Sequence, residues 1–304
     1  MTEKKPALPP NIRIIPRLDI KGPNLVKGIH LEGLRVLGKP NRFARAYYES
    51  GADELLYVDI VASLYGRENL LEIVEKTSRE IFIPLTAGGG LRSLEDIQRI
   101  LRAGADKVAL NTAAIHRPEL IREAARRFGS STIVISIEAI LRPDGTYEAY
   151  TDNGREKTGL DARLWAVRAA ELGAGEILIT SIDREGTGQG FDLELTRQVA
   201  ESVPIPVLCC GGAGKVEHVA QAVTEGKAQA VCMASLLHYH FVKHHPLSDQ
   251  FAEEINLAHL RNGGGSSRIQ EVDIPVMKTH LRGRGIICRP ANPITTTSLC
   301  ASPS

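Results

Sequence analysis

A (β/α)8 TIM barrel built from two half-barrel repeats is the α/β fold that this sequence predicts. Three observations lead there. Eight short apolar runs, rich in β-branched residues, alternate with amphipathic stretches. The two halves of the chain resemble each other. The length of 304 residues accommodates one barrel of about 250 residues with extensions. Parallel neighbouring strands need a crossover of about a dozen residues or more, which a helix supplies.

The strands are expected at 12–19, 54–60, 82–87, 106–111, 132–139, 176–181, 205–210 and 229–233. Between them lie stretches such as "GRENLLEIVEKTSRE" and "SLEDIQRILRAGA", whose apolar residues recur at i, i+3, i+4 and i+7. The barrel is expected over 12–241, after an N-terminal extension (1–11). An insertion or linker follows (242–271, with "GGGSS" at 263–267), then a terminal barrel helix (272–289) and a disordered tail (290–304).

Residues 83–115 align with 205–237, so that Gly88 and Gly211 stand 123 positions apart, as do Thr112 and Ser235. Two carboxylates follow nearly the same period. Asp19 ends the apolar run "IRIIPRLDI" and Glu138 ends "IVISIEAI", 119 positions later. A carboxylate at the end of a core strand is costly unless it is paired, solvated or used. The first and fifth strands of an eight-stranded barrel face each other, which directs both acids into one mouth.

Each repeat also carries a glycine-rich strand end before a helix, "GGG" at 88–90 and "GGAG" at 211–214. Glycine admits an anion close to the backbone, and amides at a helix N-terminus donate to phosphate oxygens. A polar strand end follows in each repeat, Asn111-Thr112 and Ala234-Ser235. Two copies point to a substrate phosphorylated at both ends. The segment "KGPNLVKGIHLEGLRVLGKP" (21–40) is long for a βα loop and reads as a lid.

The net charge of +1 gives no global field for nucleic acid or membrane. The first residues lack the apolar core of a secretory signal, and no apolar run has the length of a spanning helix. Five cysteines show no metal-ligand spacing, so Cys209 and Cys210 read as small buried hydrophobes. A cytoplasmic location is expected. His240, His244 and His245 read as exposed loop histidines, and no metal or other cofactor is expected.

The segments "RIIPRLDIK", "LVKG", "GADELLYVDI", "GADKVALNTAA", "FGSS", "YTDNG", "GAGEILITSIDREGT" and "GGAGK" carry a family resemblance. Over roughly 11–241, plus a helix near 272–289, the chain resembles the cyclase subunits of imidazole glycerol phosphate synthase. The resemblance implies an ammonia-using cyclase in a heterodimer with a glutaminase. Its substrate would be the bis-phosphorylated ribulosyl-formimino carboxamide ribonucleotide. The products would be imidazole glycerol phosphate and aminoimidazole carboxamide ribonucleotide.

The resemblance also implies residue roles. Asp19 and Glu138 are the catalytic acids and Lys27 is a lid lysine near substrate. Gly90, Asn111 and Thr112 form one phosphate site; Gly186, Gly212, Ala234 and Ser235 form the other. Arg13, Glu54, Lys107 and Glu176 form a charged ring gating ammonia entry, and Asp106 lies where the glutaminase docks. From sequence alone the alternative for these four charges, two of each sign near strand starts, is a structural ion-pair network. The chain departs from the family in carrying Glu138 for aspartate, Ser131 for a glutamine, "KGPN" (21–24) for "KDGR" and Cys210 for a serine. These changes are expected to cluster at the active face. They leave two alternatives open: a paralogue delivering ammonia to a nucleotide sugar, or a non-catalytic barrel that docks and activates a glutaminase.

Overall fold

Alternation of side chains along the first strand fixes the inside and outside of the molecule. In the computed structural model, which describes residues 11–61, 68–244 and 268–291, β1 (Arg13–Lys21) turns Ile14, Leu18 and Ile20 outward. There they join the large core between strands and helices. Ile15, on the other face, packs with Leu56, Ala109, Val134, Leu178, Leu208, Cys210, Ala230 and Cys232 in the lumen.

Eight parallel strands close the barrel. After β1 come β4 (Leu55–Asp59), β5 (Leu85–Gly88), β6 (Lys107–Leu110), β7 (Ile133–Leu141), β10 (Glu176–Ser181), β11 (Val207–Cys210) and β12 (Ala230–Met233). Closure is made by β12 against β1 and by β7 against β10. All eight predicted strands are present, and helices follow them as the amphipathic stretches require. Local capping sets several helix starts. Ser93 and Asp96 form a capping box on the helix Leu94–Arg102, and Asp192 caps Leu193–Ser202.

Two hairpins were not predicted. The segment read as a lid loop is β2 (Asn24–Ile29) and β3 (Glu32–Gly38), antiparallel to each other, with β2 antiparallel to β1. The second hairpin, β8 (Tyr147–Thr151) and β9 (Glu156–Asp161), extends β7 in the same way. The hairpins sit on opposite strands and repeat the half-barrel symmetry.

The boundaries also shift. The helix Ser235–His244 runs past 241 and carries His240 and His244, whose rings lie 4.4 Å apart; they are helical, not loop, residues. Within the segment read as an insertion, Ile269 packs on the core, as does Val272 just after it, and the Gln270 amide donates to the Gly214 carbonyl at 2.7 Å. The terminal helix spans Ile274–Gly283, shorter than 272–289. Residues 1–10, His245, the 263–267 linker, Cys300 and most of the tail lie outside the described residues.

Candidate active site

The lumen is layered, and β1 shows why. Arg13, Ile15, Arg17 and Asp19 are two residues apart and share its inner face. At the N-terminal end, Arg13 bonds both Glu54 and Glu176 at 2.8 Å, while Lys107 reaches the same two acids at 3.0 and 3.1 Å. The four predicted charges therefore form one closed ring, to which Thr86 donates through a 2.6 Å hydrogen bond to Glu54. Above the ring lies the apolar layer of Ile15 and its neighbours. The strand from Arg13 to Asp19 rises about 20 Å, which separates the ring from the carboxylates.

Asp19 and Glu138 occupy equivalent places on opposed strands. Each sits where its strand pairs on one side with a barrel neighbour, Val58 or Thr180, and on the other with a hairpin, at Val26 or Tyr150. Both are buried. Burial pushes the Glu138 carboxyl up to about 7, opposed by the nearby Arg17 guanidinium. A group titrating there can give or take a proton near neutrality.

The first predicted phosphate site lines a cavity of about 320 Å³ containing Gly90, Asn111 and Thr112. The same cavity reaches Ser136, Glu138 and Asp152. Gly186, Gly212, Ala234 and Ser235 line a smaller hollow together with Cys210 and Cys232. One glycine in each repeat is required sterically. Gly89 has φ +104 and a Cβ there would lie 2.2 Å from the Asp59 carbonyl oxygen; Gly212, 123 positions later, has φ +105 and the same clash with Gly190.

Lys27 lies on β2, is buried and is ion-paired with Glu185. Burial depresses its ammonium, but Glu185 and Asp19 together more than compensate and the net shift is upward. The lysine read as a lid residue thus stands inside the barrel mouth. Asp106 is exposed at the opposite, N-terminal end, where its carboxylate accepts from the Leu85 amide at 2.8 Å. Of the sequence departures, Glu138 and Cys210 face the mouth, and Gly22-Pro23 forms the β1–β2 turn. Ser131 does not join them. It is exposed in the turn just before β7, at the ring's end of the barrel, because strand polarity sends residues preceding a strand to that face.

Sequence reasoning missed Arg17 and Glu185. Arg17 is 2% exposed and its Nε donates to Asp19 Oδ1 at 2.8 Å. An arginine two positions before the acid, in an otherwise apolar strand, was the available signal.

Comparison with known proteins gives the family. The family model described as "Histidine biosynthesis protein" matches residues 13–243. The imidazole glycerol phosphate synthase subunit HisF of Legionella pneumophila is 61% identical over 207 residues, covering 68% of this chain and 98% of the relative. The subunits of that name from Alkaliphilus metalliredigens and Trichormus variabilis are each 50% identical over 230 residues. They cover 76% and 75% of this chain, and 91% and 90% of the relatives.

The chain belongs to the imidazole glycerol phosphate synthase cyclase-subunit family. For this cyclase-family barrel, neither the nucleotide-sugar reading nor the non-catalytic one gains an observation from the relatives. Among its described residues, no helix is long and apolar enough to cross a membrane.

Proposed function

We propose that this subunit closes the imidazole ring of imidazole glycerol phosphate at the barrel mouth, with Asp19 and Glu138 carrying the protons. The carrying observation is the placement of two buried acids at equivalent register positions, flanked by glycine hollows related by the 123-residue repeat. The substrate is the ribulosyl-formimino carboxamide ribonucleotide, and a phosphate at either end fits the two hollows. One is formed by Gly90, Asn111 and Thr112, the other by Gly186, Gly212, Ala234 and Ser235.

Ammonia condensing with the ribulosyl carbonyl must lose protons from nitrogen and release the oxygen as water. Ring closure then expels aminoimidazole carboxamide ribonucleotide, whose leaving nitrogen needs a proton. Asp19 serves as general acid and Glu138 as its partner, exchanging acid and base roles over the cycle. Lys27 stands beside Glu185 and near Asp19 at the same mouth, placed to bind substrate.

The ammonia supply is a glutaminase partner in a heterodimer. It docks at the N-terminal end, where Asp106 is exposed and the ring of Arg13, Glu54, Lys107 and Glu176 controls entry to the lumen. A cytoplasmic location follows for a biosynthetic subunit of this kind. The test is turnover of the ribulosyl-formimino substrate with an ammonium salt and no glutaminase. Release of both products supports the assignment, and a purified folded chain with no turnover overturns it.

A further inference from the structure

Arg17 heads the largest fully buried side chains in the barrel. A fixed guanidinium in a protein interior demands partners, and its partners here come from three strands. Nε donates to Asp19 on β1; Nη1 lies 3.4 Å from Thr180 Oγ1 on β10 and 3.6 Å from Cys210 Sγ on β11. The side chain therefore crosses the lumen above the apolar layer and beneath the carboxylates. Thr180 is the register partner of Glu138 on the adjacent strand, so the far end of Arg17 stands one strand from that acid.

The geometry points to Arg17 as the positioning residue of the two acids: it fixes the orientation of the Asp19 carboxylate and supplies the positive charge facing Glu138. The inference rests on the assignment of Asp19 and Glu138 as the reacting acids. The other groups around Glu138 do not supply that charge. Asp19 and Asp152 are negative and push its proton affinity up, while Asn111 and the Gly154 amide are neutral donors. Arg17 itself also faces Glu185 and Cys210; burial works against its charge, but the surrounding acids, Asp19 first, leave its proton affinity well above the usual value. The guanidinium is thus a permanent cation at any working pH. Of the other cations, Lys27 is taken up by Glu185 and Arg117, which lines the same cavity as Glu138, by Glu123; Arg92 also lines that cavity, but Arg17 is the cation that acts most strongly on Glu138.

Without Arg17, Glu138 would keep its burial and both negative neighbours and would hold its proton well above neutrality. It would then fail as a base. An opposite charge within about 4–6 Å shifts a carboxyl by about 1–3 units. A lysine keeps the charge but loses the planar fork that bonds Asp19 on one side and reaches Thr180 on the other.

The test is direct titration of Glu138 by carbon NMR with labelled glutamate carboxyls, the signal being assigned by its loss in Glu138→Gln. In the wild-type chain the midpoint is expected near 7. In Arg17→Gln it is expected to rise by about one unit or more, and in Arg17→Lys by less than about half a unit. The pH profile of kcat with saturating ammonia should move in the same direction, with KM changed less than about twofold. If Arg17→Gln does not fold, Arg17→Met/Asp19→Asn removes the buried pair together, a replacement that interiors tolerate better. It should still raise the midpoint, by less than the single change. A midpoint within about 0.3 unit of wild type in whichever neutral variant folds would overturn the proposal. Because the titration needs no turnover, an inactive wild-type chain would count against the cyclase reading alone.

Discussion

The side-chain amide of Asn111 donates to Glu138 Oε2 at 3.2 Å, which joins a residue of the proposed phosphate hollow to one of the two acids. Asn111 also donates to the Tyr150 carbonyl, and its Oδ1 is buried without a hydrogen-bond partner. Substrate bound in the hollow, as proposed, would thus be mechanically tied to the acid. Asn111→Asp would place a like charge against Glu138 and against a bound phosphate. It is expected to lower kcat/KM with ammonia by about 100-fold or more, through both terms. A loss below fivefold would mean that the bond does not couple the two sites.

Asp19→Asn is expected to remove cyclisation while leaving substrate affinity nearly intact. Loss of a proton-transfer group costs about 10²–10⁴-fold in rate. Single-turnover rates with ammonia, alongside calorimetric binding of the substrate, separate the two effects. Near wild-type turnover would make Asp19 a structural acid only.

Glu138 makes stability depend on pH. Its folded value of about 7 lies above the ordinary 4.5, so the folded state binds the proton more tightly than the unfolded chain. That contribution is fully present below about pH 4.5 and is lost as pH rises through about 7. The difference is on the order of 3 kcal/mol. Urea midpoints at pH 5 and pH 8 should show it in the wild-type chain, and Glu138→Gln should flatten the difference. An unchanged pH slope in that variant would place the linkage in other groups.

The two phosphate hollows should be separable. Gly90→Asp and Ser235→Asp each put a carboxylate where one phosphate is proposed to bind, and each is expected to weaken a bis-phosphorylated ligand by about tenfold or more. Mono-phosphate halves should lose affinity for only one variant each. Wild-type binding of the full ligand by both variants would reduce the repeat to architecture.

Glu54 accepts from Arg13, Lys107 and Thr86 while only 2% exposed. Glu54→Ala leaves these donors facing a cavity and is expected to cost about 3–5 kcal/mol in urea unfolding. Should the loss stay under about 1 kcal/mol, the ring adds little to stability and its retention needs a functional explanation.

The sequence by itself determined the barrel, its eight strands and the two equivalent acids, because these are written in local period and in a repeat of fixed spacing. It also placed Arg13, Glu54, Lys107 and Glu176 near strand starts, where polarity alone sends them to one end. It did not reveal the hairpins. "NLVKGI" and "EGLRVLG" carry glycines and charges that read as loop, and a strand at such a site is defined by the neighbour it pairs with. Nor did it reveal the charge network of the mouth. Lys27 meets Glu185 across 158 residues and Arg17 meets Thr180 across 163, so no local pattern announces either pair. Only closure of the barrel decides which buried charges stand together. A buried charge is tolerable or ruinous according to that partner, which makes the chemistry of the mouth a property of the tertiary structure.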